Sequence, residues 1–178
     1  TTGFVFKKYF NIEDSKNHPN HIIDRFVMRY AEILLNYAEA VYELNGSISD
    51  ADLNKSINLL RSRAGIPALT NGFGAANGLD KLPEMRRERR VELAQEGFRY
   101  WDLIRWKTAE IELPKTVYGN YLFAAEFGTS NPPVTSDNII IVHEGSLRSF
   151  KPNRDYLWPI PLTEISLSKG AIEQNPNW

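Results

Sequence analysis

The sequence predicts a mainly α-helical chain in which amphipathic helices pair, interrupted by long irregular loops and a few short strands. Three observations carry this expectation. Apolar residues recur at spacings of three and four along two neighbouring segments, the period of a one-sided helix. Glycines stand where those periodic runs stop, as helix ends require. Beyond Lys107 the period disappears, and scattered aromatics and prolines replace it.

Gly3 to Phe10 mixes aromatic and β-branched residues and is expected to be a strand or extended segment. A first helix is expected over about residues 25–44, with Asp24 as N-cap and Gly46 supplying the left-handed residue after Asn45. Its large apolar residues, Phe26, Tyr30, Ile33, Leu34, Tyr37, Val41 and Leu44, form one broad stripe, while Ala31, Ala38 and Ala40 allow close packing. A second helix is expected over about 50–64, capped by Ser49 or Asp50 and stopped by Gly65. Leu53, Ile57, Leu60 and Ala64 make its stripe. Two such helices joined by a short turn are an αα-hairpin of the tetratricopeptide type. With only one copy visible, further helices must cover its remaining faces. Residues 67–78 are a Gly/Asn-rich loop.

A third helix over about 82–107 places Leu82, Met85, Arg89, Leu93 and Glu96 along one face, with Gly97 as a kink. Residues 108–155 form an irregular excursion with short strands at most. The tail, 156–178, cannot begin as helix because Pro159 and Pro161 remove donors and fix φ. Thr163 caps a short last turn there. The whole, residues 1–178, is expected to be one domain.

With 42% hydrophobic and 12% aromatic residues the chain is ordered and globular in type. A net charge of −1 argues against nucleic acid as its main partner. Absence of cysteine excludes disulfides, thiolate metal sites and cysteine nucleophiles without deciding the compartment. No apolar run approaches the roughly 20 residues that span a bilayer. Thr1-Thr2-Gly3 is neither an initiator methionine nor a signal peptide, so the natural N-terminus is expected to lie upstream, as would any export signal or lipid anchor.

Enzymatic motifs are missing. Ser146 beside His143 and Glu144 has no Gly-x-Ser-x-Gly context, and no carboxylate pair is singled out by spacing. No phosphate-binding glycine loop is present, and no cofactor is implied. His18, His21 and Asp24 share spacings of three but straddle Pro19, so no helix aligns the imidazoles and no metal site is expected. The run Arg86-Arg87-Glu88-Arg89-Arg90 lies with Glu84, Glu92 and Glu96 at pairing distances along a helix, which points to structural ion pairs. Arg99, Asp102 and Arg105 make a ladder beside Trp101 and Trp106. The candidate ligand-binding residues are Tyr118, Tyr121, Phe123 and Phe127, rings on an irregular segment that can stack on the apolar faces of sugars. The alternative is that these rings plug the excursion onto the helical body.

Four segments, in order, resemble the SusD/RagB family of outer-membrane nutrient-binding lipoproteins. They are Arg29-Tyr-Ala-Glu-Ile-Leu-Leu-Asn-Tyr-Ala-Glu-Ala40, Ile57-Asn-Leu-Leu-Arg-Ser-Arg-Ala-Gly-Ile66, the stretch Arg86 to Trp106, and Tyr156-Leu-Trp-Pro-Ile-Pro161 with Gln174-Asn-Pro-Asn-Trp178. The last departs from the family's usual Asn-Pro-Gly-Tyr ending. Asn177 tolerates the left-handed conformation that glycine would take, and Trp178 keeps an aromatic ring in place. The resemblance implies an αα-superhelix of tetratricopeptide-like pairs with irregular loops, lipid-anchored on the extracellular face of the outer membrane. It further implies non-catalytic binding of a glycan or other nutrient, passed to a TonB-dependent SusC-like transporter. A helical scaffold that docks on the transporter without touching ligand is the alternative. Glu88, Arg89, Arg90, Glu92, Leu93, Glu96, Gly97, Arg99, Asp102, Leu103, Arg105 and Trp106 match recurring family positions, which the resemblance assigns to scaffold.

Overall fold

The computed structural model describes residues 2–16, 26–123, 125 and 131–178. The chain divides into two compact units, Asn11–Arg99 and a second made of Thr1–Phe10 with Tyr100–Trp178. It is mainly helical, as the periodicity predicts.

The first unit opens with α1 (Ile12–Ser15), a single turn whose first N–H groups are capped by the Asn11 side chain. α2 (Tyr30–Asn45) ends at Gly46, whose φ of 67° lets its N–H reach back to the Tyr42 carbonyl at 2.8 Å. The expected cap Asp24 lies outside the described residues. Arg29 occupies the N-cap position instead, and its side chain makes no cap bond.

The expected 50–64 helix is divided into α3 (Asp50–Asn54), capped by the Ser49 side chain, and α4 (Ile57–Arg63). Ser56 breaks it. Fully buried, its hydroxyl donates to the Asp52 carbonyl at 2.6 Å, the acceptor that a continuing helix would give to the Ser56 N–H. That N–H turns to the Leu53 carbonyl instead. α4 closes in a Schellman cap: with Gly65 at φ 70°, the Gly65 N–H bonds Ser62 and the Ile66 N–H bonds Arg61, at 3.1 and 3.0 Å.

Residues 67–78 are not all loop. Thr70 accepts from the Phe73 N–H at 2.9 Å and starts α5 (Asn71–Ala76). Ahead of it, the buried Asn58 amide both donates to the Leu69 carbonyl (3.0 Å) and accepts from its N–H (2.7 Å), seating Leu69 in the core. The expected 82–107 helix is likewise two, α6 (Lys81–Glu92) and α7 (Phe98–Arg105). Gln95 and Gly97 lie between them with φ of 66° and 83°, so the predicted kink is a break. The boundary between the two units falls inside α7.

Leu34, Leu35 and Ala38 of α2 meet Leu53, Ile57 and Leu60 of α3 and α4, with Leu69, Met85 and Leu93. The α2 stripe predicted from large residues is therefore mostly displaced. Leu34 is buried and Val41 partly so, but Phe26, Tyr30, Ile33, Tyr37 and Leu44 are exposed. The buried face is the one carrying Ala31, Leu35 and Ala38, where small side chains let the helices approach closely. Of the second stripe, Leu53, Ile57 and Leu60 are buried and Ala64 is exposed.

The charge run serves the interior of this unit, and it pairs between segments as well as along α6. Arg29 spreads its fork over Glu96 (2.6 and 2.7 Å) and reaches the Glu92 carboxylate (2.6 Å) and backbone carbonyl (2.7 Å). Buried Arg61 bonds Glu88 and the Pro67 carbonyl and lies 3.7 Å from Glu84. Arg87 grips Glu84 bidentately, a pairing that follows the helical spacing of three.

The Glu84 carboxyl is held below the usual carboxylate range, first by the Arg87 hydrogen bonds and then by the charges of Arg87, Arg61 and Lys81. A carboxylate whose pKa is depressed on folding stabilises fully above its unfolded pKa, and that stabilisation drains as pH falls through the folded one. The unfolding midpoint should therefore drop steadily below about pH 4.3. Glu84→Gln should flatten that slope in thermal melts taken across pH, and an unchanged slope would remove Glu84 as its cause.

The second unit holds an antiparallel pair, β1 (Val117–Tyr121) and β2 (Ile139–His143), with an isolated bridge from Val134 to Ile140. It also contains α8 (Ala109–Glu112), a 3₁₀ turn at Gly145–Leu147 and α9 (Leu162–Leu167). Leu103, Ala109 and Ile140 are its buried apolar residues among those described. Of the two forms expected for Gly3 to Phe10, strand or extended segment, no strand is formed; just before it the Thr2 carbonyl accepts from the Asn120 N–H of β1 at 2.8 Å. Pro161, not Thr163, is the N-cap of α9, and Thr163 lies inside it.

Candidate functional site

Two aromatic surfaces in the second unit are open to solvent. The first is the face of β1. Tyr118 stands opposite Ile141 and Tyr121 opposite Ile139, so three residues of β1 run against two of β2. That irregularity puts both tyrosines on the face of Ile139 and Ile141, away from buried Ile140, because residues directly opposite share a side of the sheet. A regular strand would have sent residues three apart to opposite sides. Gly119 makes room for the passing chain: a Cβ there would lie 2.4 Å from the Thr2 carbonyl oxygen.

Tyr118, Tyr121 and Phe123 are 55%, 45% and 50% exposed, so half of each ring faces solvent. Tyr121 and Phe123 meet edge to face at 5.0 Å, and the Asn138 amide approaches the Tyr121 hydroxyl at 3.4 Å. Phe127, the fourth candidate, lies outside the described residues.

The second surface was missed by sequence reasoning. Gln174 bonds both backbone groups of Ile160, accepting from its N–H at 2.8 Å and donating to its carbonyl at 2.9 Å. Asn175 donates to the Trp158 carbonyl (2.6 Å) and Asn177, at φ 66°, to the Asn153 carbonyl (2.7 Å). These side-chain amides replace the ladder that Pro159 and Pro161 forbid. They bring Trp158 and Trp178 to one hollow of about 200 Å³, completed by Tyr100, Phe150, Leu157 and Asp155. Arg154 lies 4.4 Å over the Trp178 ring, while Tyr100 meets Trp158 at a steep angle, 6.4 Å between centroids. The Asp155 carboxyl is held low by the Arg154 hydrogen bond (2.6 Å) and then the Lys151 backbone N–H (2.7 Å). Rings twenty residues apart carry no shared periodicity. The available signal was two tryptophans in segments whose prolines bar regular structure.

Of the ladder beside the indoles, the Arg105 rung forms: Arg105 Nε sits 3.0 Å from buried Asp102, and its guanidinium lies 4.8 Å from the centre of the Trp106 ring. Among the described residues no three His, Asp or Glu side chains are grouped to hold a metal. His18, His21 and Asp24 lie outside those residues.

The family profile described as the SusD family matches residues 1–178. SusD-like protein P2 of Formosa agariphila is 31% identical over 155 residues, 85% of this chain and 25% of that protein. SusD-like protein P38 of the same bacterium is 34% identical over 104 residues, 56% of this chain and 19% of that one. A crystal structure of a SusD-like carbohydrate-binding protein from Bacteroides fragilis superposes with a TM-score of 0.63 at 36% identity, covering 79% of this chain and 27% of that one. A second SusD-like protein from that organism gives a TM-score of 0.60 at 32% identity, over 85% of this chain and 25% of that one. The chain thus spans about a quarter of the length of P2 and of the two crystal structures. With the whole of its length matched and both chain identity and backbone in agreement, it belongs to the SusD family.

Proposed function

We propose that this chain is part of a glycan-binding protein of the outer membrane, which captures an oligo- or polysaccharide on the extracellular face and passes it, chemically unchanged, to a TonB-dependent SusC-like transporter. A lipid anchor upstream of these residues holds it there; among the described residues no helix is long and apolar enough to cross a membrane. The observation that carries the reading is family membership across the whole chain, together with a structural neighbour described as carbohydrate-binding. Tyr118, Tyr121 and Phe123 then supply ring surface to the sugar, with Phe127 as their sequence neighbour. Half-exposed rings on one face suit the C–H faces of pyranoses.

Calorimetry of the intact protein against a polysaccharide panel tests this. Saturable binding is expected, weakened at least tenfold, about 1.4 kcal/mol, by the double substitution Tyr118→Ala and Tyr121→Ala. Binding of peptides or small metabolites with no polysaccharide response would overturn the ligand class.

One observation favours a second reading, a scaffold that docks protein. Tyr30, Ile33, Tyr37 and Leu44 leave an apolar stripe of α2 exposed. Capture of the transporter by the purified protein, with no affinity for any glycan, would favour that reading.

A further inference from the structure

We infer that the hollow between Trp158 and Trp178 is a subsite for one neutral pyranose ring, separate from the tyrosine face of β1. The inference rests on the glycan-binding reading and adds a place and a charge type to it. Size is the first argument. About 200 Å³ is several times the roughly 30 Å³ share of one water and smaller than the roughly 300–1,000 Å³ of pockets for larger ligands, so it suits a single ring.

Surface chemistry is the second argument. The Trp178 indole N–H is already spent on the Leu157 carbonyl at 3.0 Å, and Arg154 covers one face of its ring. Trp178 therefore offers the hollow apolar ring surface and no donor. Trp158 is 64% exposed, so its indole is open to a ligand from the solvent side. Two such rings accept the C–H face of a sugar, and Asp155 accepts its hydroxyls. Asp155 has about four lone-pair sites, of which the Arg154 and Lys151 N–H groups use two.

Charge decides between ligands that like aromatic walls. Rings around a carboxylate also suit a quaternary ammonium. Here Arg154 already answers Asp155 at 2.6 Å, so the hollow is neutral as a whole and an added cation would meet the guanidinium. A polyhydroxylated neutral ring needs no counter-charge. The walls are also set before any ligand arrives, because Gln174, Asn175 and Asn177 tie the two segments together through backbone bonds.

The test titrates the intact protein with the panel polysaccharides and with maltose, cellobiose, laminaribiose and xylobiose, followed by calorimetry and by tryptophan emission. At least one disaccharide is expected to shift the emission of the wild-type protein. Trp158→Ala, which removes an exposed ring, and Asp155→Asn should each weaken binding at least tenfold, with Val91→Ala, an exposed position on the first unit, as the unaffected control. Polysaccharide binding that both variants retain at wild-type affinity, or that leaves wild-type emission unmoved, overturns the subsite and leaves the proposed function standing. Failure of the wild type to bind any polysaccharide overturns that function and the subsite with it. Displacement of the disaccharide by tetramethylammonium would overturn the assignment to a neutral ring.

Discussion

Arg61→Ala should lower the free energy of unfolding by about 3–5 kcal/mol, the range for removing one partner of a buried ion pair. Arg61 is buried and holds Glu88, lies 3.7 Å from Glu84 and donates to the Pro67 carbonyl at 2.6 Å. Truncation leaves two buried carboxylates with the half-exposed Arg87 and the charge of Lys81 to answer them, and it frees the backbone just after the Gly65 cap. Arg63, two residues on, also touches a carboxylate, Glu92, but its side chain is 59% exposed. Its replacement by alanine should cost no more than about 1 kcal/mol. Denaturant unfolding of both variants checks the contrast. Equal losses would mean that burial does not set the value of these pairs.

Leu35→Ala should cost about 2–5 kcal/mol, and Leu44→Ala on the same helix within about 0.5 kcal/mol. Leu35 is 2% exposed and packs in the cluster formed with Leu53 and Ile57, whereas Leu44 is 83% exposed. The pair of variants decides which side of α2 is the inside. Comparable losses at both positions would show that something covers the Leu44 face in solution.

The rotation of α2 is where the sequence was hardest to read. Two stripes at helical period coexist there, one of large residues through Tyr30, Ile33 and Tyr37 and one of Ala31, Leu35 and Ala38. Hydrophobic bulk favours the first, but close approach of helices favours the second, and no local pattern weighs those against each other. Gly46 and Gly65 were legible because an αL cap is a local demand on one residue. Ser56 was not: a serine within an amphipathic stretch gives no sign that its hydroxyl will take the carbonyl its own N–H needs. The tyrosines of β1 were legible as ring-bearing residues, yet their shared face comes from a register irregularity that sequence spacing does not encode. The tryptophan hollow depends on contacts across twenty residues, such as Asn175 with Trp158 and Asn177 with Asn153.

The manner in which the chain's last residues are fastened has its own outcome. Gln174, Asn175 and Asn177 hold residues 153–160 through carboxamides, which neither gain nor lose protons and feel little of dissolved salt. The helical unit, by contrast, is knitted by guanidinium and carboxylate groups. Acid thus loosens the carboxylate ties of the helical unit and the Asp155–Arg154 pair, while the carboxamide ties of the tail stay stitched.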